Sequence, residues 1–488
     1  MRCLAFVLLV YLSLNVEDAH GKKLFSKGFI GGPNKVFAHL QQEPQVEWFQ
    51  QILDHSNATK YPKWKQRYYI STEHYKPGGP IFLMIGGEGK ETPKWMTSGA
   101  WIHYAAKFNA LCISLEHRFY GASQPTGNLS TDSLQYLTSE QALADLAYFI
   151  SVMKVKYDEE GSKKWIAFGG SYPGSLAAWA REKYPELIHG SISSSGPLLA
   201  EVDFKEYFEV VQQSLASYSE DCVVAVRRSF SQLEILLRHM IGQREINEKF
   251  QLCDPVEKSI DNKLDIASLF ENIAGNFAGV VQYNKDNSPH STKTIDDVCD
   301  VMVNETLGTP VQRLAEVNRM MLNESKEKCL DYKYDKMIED MKNITCDEDK
   351  AMRQWTYQTC NEFGFYQTST QTDLLFSDRF PVDFFIRQCM DIFSEKMDSQ
   401  YLQAVVGKTN TFYGALNPNT TNVLYVHGSI DPWHALGLIS SPNPNTPTIF
   451  IEGTAHCANM YEPSKNDIPA LTEARQKIQD FIENILKT

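Results

Sequence analysis

The chain has 488 residues, of which 43% are hydrophobic and 22% are charged, and its formal net charge at pH 7 is −13. Because one domain typically has ~150 residues, we expect a large domain that carries an insertion. No block of lysines and arginines occurs, which argues against a nucleic-acid partner.

The first 21 residues have the pattern of a signal peptide. Arg2 precedes an apolar stretch from Leu4 to Leu14, and the small residues Ala19 and Gly21 offer cleavage sites. The stretch is too short to cross a bilayer, and no later run approaches the ~18 apolar residues of a spanning helix. A buried first helix is the alternative. Once residues 1–21 are removed, we expect the chain to have no membrane contact.

Cysteines and glycosylation sequons support secretion. Of the ten cysteines, Cys3 belongs to the predicted signal peptide and would be removed with it. Cys112 lies in the apolar run "NALCISLE", so we expect it to be a buried free thiol. The remaining eight can pair in many ways, so the sequence fixes no connectivity. No C-x-x-C or C-x-x-H pair exists, so we expect neither a metal site nor a cofactor. The N-x-[ST] sequons lie at Asn57, Asn128, Asn304, Asn323, Asn343 and Asn419. Together with the signal peptide, they predict a glycoprotein of the secretory pathway, either secreted or lysosomal.

Strand and helix patterns alternate in the first half of the chain. The segments 65–70, 80–86, 109–116, 164–170 and 189–197 are predicted strands. Helical spacing follows in "SGAWIHYAAKF", in "LTSEQALADLAYFISVMKVKY" and in "GSLAAWAREKY". In the second of these, Thr138 and Gln141 have capping-box spacing. This alternation predicts an α/β fold with a mostly parallel sheet.

The pattern changes between residues 200 and 415, where polar helices dominate and seven cysteines fall. Strand and helix patterns then resume in "TNVLYVHGSIDPW", in "PTIFIEGTAHC" and in a closing amphipathic helix. We therefore predict a core formed by residues 45–199 and 416–488, and a disulfide-stapled helical cap formed by residues 200–415.

The stretch "WIAFGGSYPGSLAAWAREKYP", residues 165–185, poses the central question about chemistry. A strand that ends in glycines, followed by a serine and a helix, is typical of a nucleophile elbow, whose usual pattern is G-x-S-x-G. Gly169 and Ser171 fit this pattern, but Pro173 stands where glycine is expected, and Gly174 comes one residue late. Proline is favourable at the start of a helix. By itself the stretch is equally consistent with a simple turn.

Two later strands end in residues that complete a triad. Asp431 follows "VLYVHGSI" and His456 follows "IFIEGTA", so the chain order is Ser171, Asp431, His456, the order of α/β-hydrolases. In parallel sheets, sites gather at the carboxyl ends of the strands. A serine hydroxyl needs a histidine base, and the carboxylate fixes the tautomer of that histidine. Separately, Asp431 could cap a helix and His456 could be structural, but the set favours catalysis.

Oxyanion donors are expected beside the serine. The N–H of Tyr172 is one candidate, and Gly86 or Gly87 in "IGGEG" supplies the other from the loop after a core strand. The alternative interpretation of these glycines is a tight turn. Glu88 could bind a charged end of a substrate or could cap a helix.

Several blocks together resemble the family of lysosomal Pro-Xaa carboxypeptidase and dipeptidyl peptidase II, and within it the thymus-specific serine protease branch. These blocks are "GGSYPGSLAAWAREKYP", "EHRFYGASQP", "LQYLTSEQALADLAYFI", "QTCNEFGFYQ", "DPWHALG" and "GTAHC". The resemblance covers residues 45–487. It implies an α/β-hydrolase core with a helical cap and a serine exopeptidase that acts on small peptides, often at proline. Homodimers are common in the family.

By motif match, the resemblance makes Ser171 the nucleophile, Asp431 the orienting acid and His456 the base. Tyr172 and Trp433 resemble positions that line a proline-accepting pocket, with ordinary aromatic packing as the alternative. The residues of "HRFYG" recur in the family, either at the site or as support beneath it. Better-characterised members have glycine at the position of Pro173, and the cap is the least similar part. Carboxypeptidase and dipeptidyl peptidase therefore both remain open.

Two other functions compete with a peptidase. An esterase or lipase could use the same core, although the blocks are peptidase-like. A non-catalytic binding protein on a hydrolase fold would be expected to lack a triad residue, whereas all three are present.

Overall fold

The computed structural model describes residues 44–57, 59, 62–158, 160–285, 292–370 and 375–488. The predicted signal peptide, residues 1–21, lies outside the described residues. In the described part of the chain, every helix is too short or too polar to pass through a bilayer.

An eight-stranded sheet forms the centre of the molecule. In chain order, the strands of the described residues are β1 (Gln45–Ile52), β2 (Lys63–Ser71), β3 (Ile81–Ile85), β4 (Leu111–Leu115), β5 (Trp165–Gly170), β6 (Gly190–Ser194), β7 (Glu201–Asp203), β8 (Gly364–Tyr366), β9 (Val423–Gly428) and β10 (Thr448–Ile451). Strands β7 and β8 form a separate pair, and the others form the large sheet. The order in the large sheet is β1-β2-β4-β3-β5-β6-β9-β10. Strand β2 pairs antiparallel with both β1 and β4, and the remaining pairs are parallel. This topology confirms the predicted α/β-hydrolase core.

Helices cover both faces of the sheet. In chain order, the helices of the described residues are α1 (Ala100–Phe108), α2 (Thr131–Leu134), α3 (Ser139–Tyr157), α4 (Tyr172–Lys183), α5 (Glu206–Tyr218), α6 (Glu220–Leu237), α7 (Met240–Lys249), α8 (Lys263–Gln282), α9 (Ile295–Val303), α10 (Pro310–Ser325), α11 (Tyr334–Met341), α12 (Met352–Gln358), α13 (Val382–Ile392), α14 (Ser399–Tyr413) and α15 (Pro469–Lys487). Helices α1, α3, α4 and α15 pack on the sheet. A π-helical turn, Thr359–Phe363, follows α12.

The central strands are buried on both sides, because alternate residues face different layers. In β3, Ile81 and Leu83 pack with α3 and α4, whereas Phe82 and Met84 pack with α1 and α15. The near-continuous apolar runs that predicted buried strands follow from this two-sided cover.

Helix α3 begins as predicted, but its capping box is only half formed. The Thr138 hydroxyl accepts a hydrogen bond from the N–H of Gln141 at 3.2 Å. The Gln141 side chain does not return to Thr138. Its oxygen instead accepts from the N–H of His55, and its nitrogen donates to Asp54. The glutamine therefore fastens the segment after β1 to the helix, a tertiary use that the spacing alone could not reveal.

Helices α5 to α14 lie between β6 and β9 in the chain, where the helical insertion is predicted. Three disulfides join Cys222 to Cys299, Cys253 to Cys329 and Cys360 to Cys389. The short parallel pair β7–β8 brings the start of this segment beside its later part. The predicted boundaries at residues 200 and 415 stay predictions.

Among the cysteines that the structure describes, three are unpaired. Cys112 is a buried free thiol, as its apolar run predicted, while Cys346 and Cys457 are also free. The asparagines of all six sequons are exposed, although Asn323 lies inside α10. Glycosylation stays a prediction that this exposure permits.

Candidate active site

Ser171 occupies a strained turn between β5 and α4. Its backbone angles are φ 63° and ψ −135°, a region that residues other than glycine rarely adopt. The Ser171 carbonyl accepts hydrogen bonds from the N–H groups of Gly174 and Ser175 at 2.8 and 3.2 Å. A sharp strand-to-helix turn with a strained serine is the geometry of a nucleophile elbow.

Pro173 fits this turn because its neighbour Gly87 has no side chain. A Cβ placed on Gly87 would lie 2.3 Å from Pro173 Cγ and 2.6 Å from its Cδ. Gly169 meets the turn from the strand side, since its Cβ would lie 2.0 Å from the Pro173 carbonyl oxygen. The usual motif has a glycine two residues after the serine. In this chain that position is Pro173, and the glycine that makes room for it is Gly87 in the facing loop.

Asp431 and His456 form a buried pair at the neighbouring strand ends. Asp431 Oδ1 lies 2.9 Å from His456 Nδ1 and accepts from the N–H of Trp433 at 3.0 Å. Burial alone would raise the pKa of Asp431 and lower that of His456, but their mutual attraction outweighs it. The pKa of Asp431 therefore lies below its ordinary value and that of His456 lies well above its ordinary value. Such a pair stabilises an imidazolium.

The end of β6 connects the serine turn to this pair. The N–H of Ser171 donates to the Ser194 carbonyl at 2.9 Å, and the Ser195 hydroxyl accepts from the N–H of Cys457 at 2.9 Å. The N–H of Ser195 donates in turn to the Val426 carbonyl in β9. Sequence reasoning missed this role and interpreted "HGSISSSGP" only as a strand.

Ser171 and His456 are almost completely buried, and no hydrogen bond joins them. His456 Nε2 has no hydrogen-bond partner among the described residues. Catalytic hydrogen bonds are often long without substrate and tighten when it binds. With Nδ1 bonded to Asp431, Nε2 is the ring nitrogen that can accept a proton.

Two backbone N–H groups beside Ser171 are unengaged among the described residues, those of Tyr172 and Gly87. Tyr172 is the first residue of α4, where helical N–H groups have no partner within the helix. The N–H of Gly86, by contrast, donates to the Leu115 carbonyl at 2.9 Å and continues the sheet ladder. The structure thus narrows the predicted loop donor from Gly86 or Gly87 to Gly87.

Glu88 is buried, and its Oε1 has no hydrogen-bond partner among the described residues. Burial raises the pKa of Glu88 to about 7, against smaller opposing effects of its own N–H and of nearby His456. The helix-cap interpretation is wrong, because Thr92 caps the next helical turn, Pro93–Met96. A binding role for the carboxyl stays a prediction.

Tyr172 and Trp433 both pack against aromatic side chains of the insertion and form one aromatic layer with them. The Tyr172 ring packs against Trp355 and Phe363, and the Trp433 ring packs against Phe365. Phe363 and Phe365 stack with their ring centres 5.3 Å apart, which joins the two halves of the layer. The predicted pocket residues are therefore linked through the "QTCNEFGFYQ" segment.

The "HRFYG" residues support the site from behind. Neutral His117 donates from Nδ1 to the Arg118 carbonyl, so its Nε2 accepts from the Tyr172 hydroxyl at 3.1 Å. Gln358, which sequence reasoning missed, donates to that same hydroxyl and accepts from Tyr120. The Arg118 guanidinium is held by the buried carboxylate of Asp145. These contacts favour the supporting interpretation of the motif.

Several buried glutamates have raised pKa values, from which we predict how the free energy of unfolding depends on pH. Burial raises the pKa of Glu88 and of Glu362 to about 7 and that of Glu91 to about 8. Each binds its proton more tightly in the folded state, so its contribution to stability is complete below the model-peptide value of 4.5 and is lost as pH rises through the folded pKa. The raised pKa of His456 acts in the same direction above 6.5.

Three histidines act in the opposite direction at lower pH. Burial lowers the pKa of His117, His189 and His427 to about 4, so they offset the glutamates below 6.5 but not above it. We therefore expect the thermal unfolding midpoint to be several degrees lower at pH ~8 than at pH ~6. Scanning calorimetry of the wild type and of Glu91→Gln, in which the difference should shrink, measures this. Equal midpoints at the two pH values would contradict it.

Comparison with known proteins extends these observations. The sequence profile of the family described as serine carboxypeptidase S28 matches residues 51–478. A putative serine protease of Caenorhabditis elegans is 40% identical over 449 residues, which cover 90% of this chain and 87% of that protein. The thymus-specific serine protease of Mus musculus is 34% identical over 460 residues, covering 91% and 89%.

A more distant relative is the lysosomal Pro-X carboxypeptidase of Mus musculus, which is 26% identical over 518 residues and covers 99% of this chain and 100% of that protein. These similarities confirm the resemblance that the sequence blocks indicated.

Proposed function

The chain belongs to the serine carboxypeptidase S28 family, and we propose that it is an exopeptidase that hydrolyses small peptides through Ser171, Asp431 and His456. Membership makes it a serine-type peptidase by family. The observation that carries the residue assignment is the buried Asp431–His456 hydrogen bond. The end of β6 lies between this pair and the strained turn at Ser171.

The proposed catalysis has two stages, acylation of Ser171 and hydrolysis of the acyl-enzyme. Ser171 Oγ attacks the scissile carbonyl while His456 Nε2 takes its proton, and Asp431 stabilises the imidazolium. The carbonyl oxygen becomes an oxyanion that accepts from the N–H groups of Tyr172 and Gly87. His456 then protonates the leaving amine, and an acyl-enzyme forms. Water, deprotonated by His456, attacks that ester, and Ser171 regains its proton as the acid product leaves.

Aromatic side chains favour a compact apolar residue at the cleavage position. We propose that the proline ring of a substrate packs against the layer of Tyr172, Phe363, Phe365 and Trp433, whose rings contact one another. One relative is named for a Pro-X specificity. We infer a preference for cleavage after proline.

Glu88 bears on which end of the peptide is held. A buried carboxyl with one oxygen unbonded among the described residues is stabilised as an anion by a cation, so Glu88 favours the ammonium of a free amino terminus. Dipeptides released from the amino end are therefore the first substrates to test. The expected compartment is the secretory pathway, lysosomal or extracellular, because disulfides persist in oxidising surroundings.

A covalent probe tests the nucleophile. The mature wild-type protein should react with a fluorophosphonate probe, and Ser171→Ala should not react at all. Ser175→Ala is the matched control, since this buried serine lies one helical turn further on and donates to the Pro197 carbonyl. Labelling that persists in Ser171→Ala would remove the assignment. An unlabelled wild type would favour a non-catalytic hydrolase fold.

Blocked peptides separate the remaining alternatives. A fluorogenic Xaa-Pro amide with a free amino terminus reports a dipeptidyl peptidase, and an acyl-Pro-Xaa peptide with a free carboxylate reports a carboxypeptidase. We expect cleavage of the first to depend on Glu88, so Glu88→Gln should raise KM for that substrate. If neither peptide is cleaved while simple esters are hydrolysed, the chain is an esterase.

A further inference from the structure

Gln282, the last residue of α8 in the insertion, contacts His456 directly and Asp431 indirectly, through Trp433. Its carbonyl accepts a hydrogen bond from the N–H of His456 at 2.9 Å. Its side-chain Oε1 accepts from the indole of Trp433 at 3.0 Å and from the Tyr207 hydroxyl at 2.7 Å. Gln282 is itself buried.

These contacts fix two loops that come from different strands. Trp433 lies two residues after Asp431, and its own N–H is bonded to that carboxylate. One residue of the insertion therefore holds the turn that carries the acid and the loop that carries the base. Gln282 Nε2 also donates to the Tyr283 hydroxyl. The Tyr283 and His456 rings pack edge to face, with their centres 6.2 Å apart.

The helix contributes electrostatically as well. The last carbonyls of a helix carry partial negative charge and stabilise a nearby cation. Because α8 ends at Gln282, whose carbonyl accepts from the N–H of His456, its carboxyl end lies beside the residue that becomes positive during proton transfer. The other titratable groups that act on His456 are Asp431, Cys457, Glu88 and His427.

We propose that Gln282 is a positioning residue through which the helical insertion sets the relative placement of Asp431 and His456. It touches no reacting atom in this scheme and acts through Trp433 and His456. The proposal rests on the proposed function, since it concerns how that triad is aligned. It also assigns the insertion a part in catalysis beyond the selection of substrates.

Gln282→Met tests the side-chain contacts. The substitution preserves length but removes the acceptor shared by Trp433 and Tyr207, so the acid-bearing turn loses its anchor. We expect the rate constant for fluorophosphonate labelling of Ser171 to fall about 10- to 100-fold, the effect of a misplacement near 1 Å. For peptide substrates the loss should appear in kcat, with KM little changed.

Gln243→Met is the matched control. Gln243 is another buried glutamine of the insertion, and its Nε2 donates only to the Leu237 carbonyl among the described contacts. Gln282→Glu is a second variant, which retains an acceptor for Trp433 and Tyr207. It should label faster than Gln282→Met, and its added charge should move the acid limb of the labelling profile to higher pH.

The outcomes separate this inference from the proposed function. If wild type labels at Ser171 and Gln282→Met labels at the same rate, the positioning role is lost while the nucleophile assignment stands. Equal loss of rate and of unfolding midpoint in Gln282→Met and Gln243→Met would show a merely structural role and overturn the inference. Absence of wild-type labelling contradicts the proposed function itself. If Gln282→Met does not fold, Gln282→Glu and Tyr207→Phe carry the test.

Discussion

Asp431→Asn is expected to fold but to lose about 10⁴-fold in kcat, the size of effect measured when the triad aspartate of a serine protease is replaced in this way. Asparagine occupies the same volume, and its oxygen can still accept from the N–H of Trp433. The amide, however, neither selects the productive tautomer of His456 nor stabilises an imidazolium. Steady-state kinetics on the peptide that wild type cleaves measures the change.

The same variant should alter the pH profile. Removal of the carboxylate removes the attraction that raises the pKa of His456 against the effect of burial. The acid limb of the residual activity should therefore move to lower pH. Asp158→Asn is the control, because Asp158 is a buried aspartate that accepts from the N–H of Lys163 just before β5, at the opposite end of that strand from Ser171. A loss below tenfold in Asp431→Asn would contradict the assigned role.

The sheet was predictable because its central strands are short apolar runs between turn residues, and because helices alternate with them. Strand β1 was not predicted. Its sequence, "QVEWFQQI", is polar at half of its positions, and Val46 and Trp48 are exposed at the edge of the sheet. An edge strand that pairs on one side has neither the apolar run nor the strict alternation on which sequence reasoning depends.

The positions of Ser171, Asp431 and His456 were predictable for a different reason. Parallel strands deliver their carboxyl ends to one edge, so three residues that each follow such a strand are brought near one another whatever lies between them. Contacts made by long-range packing carry no comparable signal. Gln282 and Gln358 sit at the ends of insertion helices, and nothing in their neighbourhoods marks them as partners of the site.

Local chemistry also differed from what residue types suggested. Gly86 and Gly87 are indistinguishable in sequence, yet the N–H of Gly86 completes the ladder to β4, whereas that of Gly87 has no partner within the described ranges. The ionisation of Glu88 depends on burial, which only the folded chain determines. Disulfide pairing likewise needed the geometry of the insertion, because eight cysteines without spacing motifs leave many pairings open.

Gly87→Ala is expected to reduce kcat/KM by about 10²- to 10³-fold, the loss typical of one oxyanion donor. The added methyl would lie 2.3 Å from Pro173 Cγ, a distance that non-bonded carbon atoms do not reach, so the loop or the start of α4 must move. Either shift displaces a proposed donor, the N–H of Gly87 or that of Tyr172. The expected defect is in transition-state stabilisation, with KM little affected.

Pro173→Gly should rescue this variant, because it removes the ring that the new methyl meets. The double variant Gly87→Ala, Pro173→Gly is expected to recover most of the lost kcat/KM, which makes the two effects strongly non-additive in a double-mutant cycle. Pro173→Gly alone restores the usual G-x-S-x-G spacing and should be far milder than Gly87→Ala. Additive losses in the cycle would mean that the ring and the glycine do not compensate each other. The displaced glycine of the elbow would then need a different explanation, whereas rescue would show that one steric requirement is shared between two loops far apart in sequence.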